Sequence, residues 1–239
     1  MAPAPARRPA RKRANHYHHG DLRRAMLQAA VRTIRTHGID GLTLRGVGSA
    51  LGVSRTALYR HFTDKSALLA AVAAEGFRML RLDLEAAWNE GGRGRAGFEA
   101  MGVAYVRFAV AHPSHYRVMF GADIPKDGAD TREDAADIRE DANPELAQEG
   151  AGSFQVLVDA ITTLQEQQLA RRDDPRQMAL FVWAATHGVA MLAIDGRLGR
   201  ETSAIDSLTG YMTERVQAAI ATRHDMNVEL TMDDGRLTD

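Results

Sequence analysis

Two short segments with apolar edges, "TLRGVGSAL" (43–51) and "SRTALYRHF" (54–62), are separated by Gly52 and Val53 alone. Few folds tolerate a junction this tight. Leu44, Val47 and Leu51 recur at three- and four-residue steps, and Leu58 and Phe62 repeat the four-residue step, so each segment reads as a short helix with one apolar edge. Gly52 ends the first helix, since glycine accepts the left-handed backbone of a tight helix stop. Val53 plugs the turn, and Thr43 and Ser54 stand where a side-chain oxygen caps a helix N-terminus. Upstream, Leu22, Met26, Ala30 and Ile34 line one face of a supporting helix that Gly38 stops. Downstream, Asp64 opens the longer helix "KSALLAAVAAEGFRMLRLDLEAAW". Together these make a three-helix helix-turn-helix unit over residues 15–66, with a fourth helix from about 64 leading out of it.

Charge divides the chain at the same place. Residues 1–65 hold thirteen Lys or Arg against three acids, a net +10, whereas the remaining residues hold seventeen against twenty-eight, a net −11. A basic head on an acidic body points to a polyanion that meets the head alone, although a solvated basic tail would give part of the same imbalance. Residues 1–14, "MAPAPARRPARKRA", have too little apolar surface to offset chain entropy and read as a disordered basic arm. The absence of cysteine excludes disulfides, thiolate metal sites and cysteine nucleophiles, and fits a reducing cytoplasm. No run approaches eighteen consecutive apolar residues, so no membrane span is expected.

Residues 67–225 keep the helical period and read as a second, all-α domain. "FEAMGVAYVRFAVAHP" stops at Pro113, and "SHYRVMF" makes a further helical stretch. Residues 121–150, rich in Asp, Glu, Gly and Ala, read as a mobile acidic segment with at most one short helix; "SFQVLVDAITTLQEQQLA" resumes the period. Asp174, Pro175 and Gln177 mark a helix start by cap, first-position proline and capping-box partner. The helix they open is apolar nearly all round and is expected to be buried on several sides. A last helix over about Ser203–Arg223 precedes a polar tail, 226–239.

The segment "TLRGVGSALGVSRTALYRHFTDKSALL" (43–69) closely resembles the DNA-binding domain of the TetR family of bacterial transcriptional regulators: a Thr-Leu start, Leu-Gly-Val-Ser at the turn, Leu-Tyr-x-His-Phe in the recognition helix, and Lys-x-x-Leu-Leu after it. "YHHGDLR" resembles the entry to the first helix in one branch of that family. Trp183-x-x-x-His187-Gly188, together with "HPSHYRVMF", resembles that branch's WHG-type ligand-binding domain. The resemblance implies a DNA-binding regulator, a repressor in the usual case, that holds a palindromic operator as a homodimer through its last two long helices. A small-molecule effector releases it, and no cofactor takes part.

On that reading the DNA-binding residues are Thr43, Arg45, Ser54, Arg55, Thr56, Tyr59, Arg60, His61 and Lys65. Leu58 and Phe62 point inward, which leaves Arg55, Thr56, Tyr59 and Arg60 outward. A guanidinium there can fork onto guanine, worth about 1–3 kcal/mol of discrimination. For Arg45, Arg55 and Arg60 a phosphate contact is the alternative. Tyr59, His61, the Thr43 hydroxyl and Lys65 resemble the family's phosphate clamps, which position without choosing sequence. Gly46 and Gly48 depart from helix-forming residues common in the family, at about 0.5–1 kcal/mol each relative to alanine. A frayed helix follows, and Gly48→Ala is expected to raise the melting temperature.

Candidate effector contacts are Tyr105, Phe108, Tyr116, Met119, Phe120, Phe154, Trp183, His187 and Met191, each of which packing alone would also explain. His187 reads either as a pocket histidine or as a core histidine satisfied by a backbone carbonyl, and Gly188 suggests close approach of another helix. The competing function is a helical enzyme or metal protein using the cluster His16, His18 and His19. That cluster lacks a carboxylate at ligand spacing upstream, and no P-loop, HExxH pair or nucleophile elbow occurs, so no metal site is expected. A DNA-binding protein with a purely structural body is the third reading.

Overall fold

The computed structural model describes residues 19–121, 143–199 and 201–222. The arm 1–14, His16 and His18, most of the acidic segment and the tail 226–239 lie outside the described residues. Among the described residues the fold is all-α, with nine helices: α1 (His19–His37), α2 (Leu44–Leu51), α3 (Arg55–Tyr59), α4 (Lys65–Glu90), α5 (Arg95–Ala111), α6 (Pro113–Phe120), α7 (Pro144–Glu166), α8 (Pro175–Ile194) and α9 (Thr202–Ile220).

The caps stand where the sequence puts them. Thr43 accepts from the Gly46 amide at 3.0 Å, Ser54 from Ala57 at 3.3 Å, and Asp64 from Ala67 at 2.7 Å. Gly52 adopts φ 67°, and the amides behind it close onto Ser49 and Gly48 carbonyls. The second short helix is regular only to Tyr59. It extends to Phe62 as a last turn in which the His61 and Phe62 amides both reach the Leu58 carbonyl, so Leu58 and Phe62 are still buried together.

Two apolar clusters run into one another along α4. The first gathers Leu22, Met26, Leu44, Val47, Leu58 and Phe62, continues down α4 to Phe77, and takes in Val118 of α6 and Leu146 of α7. The second, from Leu80 onward, is built by α4, α5, α7, α8 and α9.

Two expectations are overturned by packing, and two others are sharpened by it. Gly48 is buried, and a Cβ there would run into the Leu58 side chain, so this glycine marks a close approach of α2 to α3 rather than a frayed turn. Residues 144–150 are not part of an irregular segment: Asn143 caps α7 by accepting from Leu146 at 3.1 Å, with Pro144 at the first position. This is the same device as Asp174–Pro175, where Asp174 accepts from Gln177 at 2.8 Å. Nothing among the described residues comes within 4 Å of a Cβ built at Gly188, so within one chain the helix approach expected there is not made. Helix α8 has the length and apolar composition of a membrane span; it is buried on the sides that face α5, α7 and α9, as expected, and leaves Leu180, Phe181 and Leu192 exposed, as Tyr211 is on α9.

Candidate nucleic-acid interface and buried cavity

The helix-turn-helix unit presents its polar residues outward over the buried Leu58 and Phe62. Thr43, Arg45, Ser54, Arg55, Thr56, Tyr59 and Arg60 are exposed, and His61 and Lys65 are half-buried. The Arg55 guanidinium already stands 5.4 Å from the centre of the Tyr59 ring, a cation–π contact that holds both side chains at the surface. Thr43 and Ser54 accept from the first turns of α2 and α3, which caps each helix and leaves those oxygens committed as acceptors.

The body holds a half-open cavity of about 400 Å³, in the size range of small-molecule sites. Its walls come from α4 (Phe77, Leu80, Leu84), α5 (Phe98, Met101, Tyr105), α6 (Met119, Phe120), α7 (Phe154, Leu157), α8 (Trp183, Thr186) and α9 (Met212, Val216). Behind the wall lies a buried polar network. The Trp183 indole donates to the Tyr105 hydroxyl at 2.9 Å, the Tyr116 hydroxyl donates to Tyr105 at 3.0 Å, and His187 Nδ1 lies 2.7 Å from Tyr116 and 3.2 Å from Tyr105. Burial pushes the Tyr105 hydroxyl up to about 12, pushes Tyr116 up as well, and pushes His187 down, so the network is neutral at pH 7.

Helix α6 touches both regions. His115 Nε2 stands 3.3 Å from the Glu75 carboxylate on α4 and holds it below its usual range. Val118 lies in the head's core, and Met119 packs against Gly76. Arg117 donates to the Ile194 carbonyl at 3.1 Å, at the end of α8.

Comparison with known proteins agrees with this arrangement. Residues 26–72 match the family described as bacterial regulatory proteins, tetR family, and residues 98–216 match the tetracyclin repressor-like C-terminal domain. The chain belongs to the TetR family. It is a DNA-binding transcriptional regulator rather than an enzyme. A solved protein of unknown function from Rhodococcus sp. RHA1 is 32% identical, with a TM-score of 0.72, over 87% of this chain and all of that one. The TetR family regulator PfmR from Thermus thermophilus has the same fold at 15% identity and a TM-score of 0.60, over 81% of this chain and 97% of its own. Among curated relatives, the transcriptional repressor Rv1474c of Mycobacterium tuberculosis is 43% identical over 53 residues. The class A tetracycline repressor of Escherichia coli is 46% identical over 48 residues. These two matches cover 22% and 20% of this chain, and span only 28% and 22% of the curated relatives' own length.

Within this TetR-family chain, five of the nine residues singled out from the sequence as candidate effector contacts line the cavity: Tyr105, Met119, Phe120, Phe154 and Trp183. Phe108, Tyr116, His187 and Met191 do not: Phe108 and Tyr116 are fully buried, Met191 packs on the main core, and His187 stands behind the wall. His187 is satisfied by two tyrosine hydroxyls, not by a backbone carbonyl and not from the cavity. The wall residues the sequence misses include Leu80, Leu84, Met101 and Thr186, whose apolar or helix-bonded side chains carry no signal distinct from core packing. Among the described residues no group of three His, Asp or Glu side chains is arranged to hold a metal.

Proposed function

We propose that this regulator is a homodimeric repressor whose operator binding is relieved when a small molecule fills the body cavity. The observation that carries the reading is the double role of Met119 and Phe120, which line the cavity and also pack on the core beneath the DNA-binding residues. A ligand pressing on these side chains favours one setting of α6 against α4. That setting shifts the population between conformers whose recognition helices do or do not fit adjacent major grooves. The curated relatives that carry the name repressor support the direction of the effect.

The bare faces of α8 and α9 supply the dimer contact: Leu180, Phe181, Leu192 and Tyr211 are exposed, and Gly188 and Gly210 have open space above them. Two-fold symmetry makes the operator palindromic, with half-sites about 34 Å apart. Arg45 and Arg55 read base edges, while Tyr59, His61 and Lys65 hold phosphates. A protein acting on DNA in this way works in the cytoplasm.

Fluorescence anisotropy against salt tests the assignment. The logarithm of affinity should fall steeply with the logarithm of salt, and Lys65→Gln should weaken binding evenly across sequences while lowering the slope by about one. A flat salt response contradicts the phosphate assignments.

A further inference from the structure

We infer that the cavity is shaped for a flexible amphiphile with an apolar chain and one anionic end, an acyl-chain carboxylate. This rests on the reading of the cavity as the effector site and names the chemistry that site selects.

The wall hydroxyls have no proton to spare: Thr186 donates to the Val182 carbonyl at 2.9 Å, Thr213 to Gly210 at 2.9 Å and Ser153 to Gly150 at 2.9 Å. The Trp183 indole donates to Tyr105. A carbonyl or carboxylate placed midway down the cavity would lose water and gain no hydroxyl or indole donor, so the acceptor end of the ligand lies elsewhere and its body is apolar. Met101, Met119 and Met212 give the wall adaptable surface that suits a flexible chain. The lining runs from Phe77 to Leu84 on α4 and from Arg176 to Thr186 on α8, about 10 and 15 Å at the helical rise.

Two charged residues belong to the lining, Arg176 and Glu99. The Arg176 guanidinium lies 5.2 Å from the Phe154 ring centre, itself a wall, and has no ion pair among the described residues. Both side chains are exposed, and Glu99 also borders a shallow outer groove between α4 and α5 beside Arg107. What sets the sign is the Arg176 guanidinium held over Phe154, a wall of the cavity: a carboxylate at the end of the chain meets that planar cation in two parallel hydrogen bonds.

Titration calorimetry on the full chain with dodecanoate, dodecanol and dodecylamine, all below micellar concentrations, tests the inference. Dodecanoate should bind once per chain and at least about ten times more tightly than dodecanol. Arg176→Gln should abolish that preference while leaving dodecanol binding unchanged, and Glu99→Gln should leave it intact. No saturable binding of dodecanoate, an amine preference lost in Glu99→Gln, or a carboxylate preference kept in Arg176→Gln would each overturn it. A DNA-affinity measurement with dodecanoate separates the two readings. Single-site carboxylate binding without any change in operator affinity upholds the ligand chemistry and defeats effector release. Operator release by another compound, with no dodecanoate site, does the reverse.

Discussion

Replacing Gly48 by alanine sets two opposite forces against each other at one atom. In an open helix the change gains about 1 kcal/mol of helix propensity. Here the new methyl would enter the space of the Leu58 side chain, which is 3% exposed and must shift within the core to make room. Overpacking a buried site costs about 1–3 kcal/mol. The net is a destabilisation of about 0–2 kcal/mol, centred near 1. For a cooperative unit of this size, that is a fall in melting temperature of about 2–4 °C. Scanning calorimetry on the full chain reads it. The control is the same substitution beside Leu58→Val, which removes a methylene from the contact. There Gly48→Ala should cost nothing, giving a coupling energy of about 1 kcal/mol between the two positions. A melting temperature raised by Gly48→Ala in the otherwise unaltered chain, or an equal effect in both backgrounds, refutes the close approach of α2 and α3.

Three further outcomes follow from the same geometry. Phe181→Arg, on the bare face of α8, should convert the dimer to monomer in sedimentation velocity; an unchanged dimer removes that face from the interface. Arg55→Ala should cost about 1–3 kcal/mol on the preferred operator and relax the choice of one base pair, whereas a loss equal on all sequences makes Arg55 a phosphate contact. Burial lowers the His112 and His187 pKa values, so the unfolded chain takes up their protons first as pH falls. Their share of stability is intact above the ordinary imidazole value near 6.5 and is lost as pH drops through it, so the melting temperature should decline between pH 7.5 and 5.5. The decline should be shallower in His187→Gln, and equal slopes in the two proteins contradict the assignment to His187.

What the sequence could show was local. Thr43, Ser54, Gly52 and Asp64 act on backbone groups a few residues away, so their meaning is complete within the segment that contains them. Asn143–Pro144 carries the same signal, and the acidic, glycine-rich stretch around it masked a helix start that the cap and proline spell out. The glycines show the limit. Gly48 and Gly188 look alike in a helical run, yet one faces Leu58 and the other faces open space, and that depends on residues the local sequence does not contain. The cavity is hidden for the same reason. Its walls come from six helices, and a leucine that borders empty space is chemically identical to one that borders another leucine. Tyr105, Tyr116, Trp183 and His187 were each legible as candidates, but the network that joins them came only with the fold.

Nuclease footprinting of the full chain on fragments of its source genome tests the central claim most directly. The account predicts a protected, two-fold symmetric site with half-sites one helical turn apart, lost in Arg45→Ala/Arg55→Ala and weakened steeply by salt. Protection without symmetry, or a footprint that survives loss of both arginines, would contradict it.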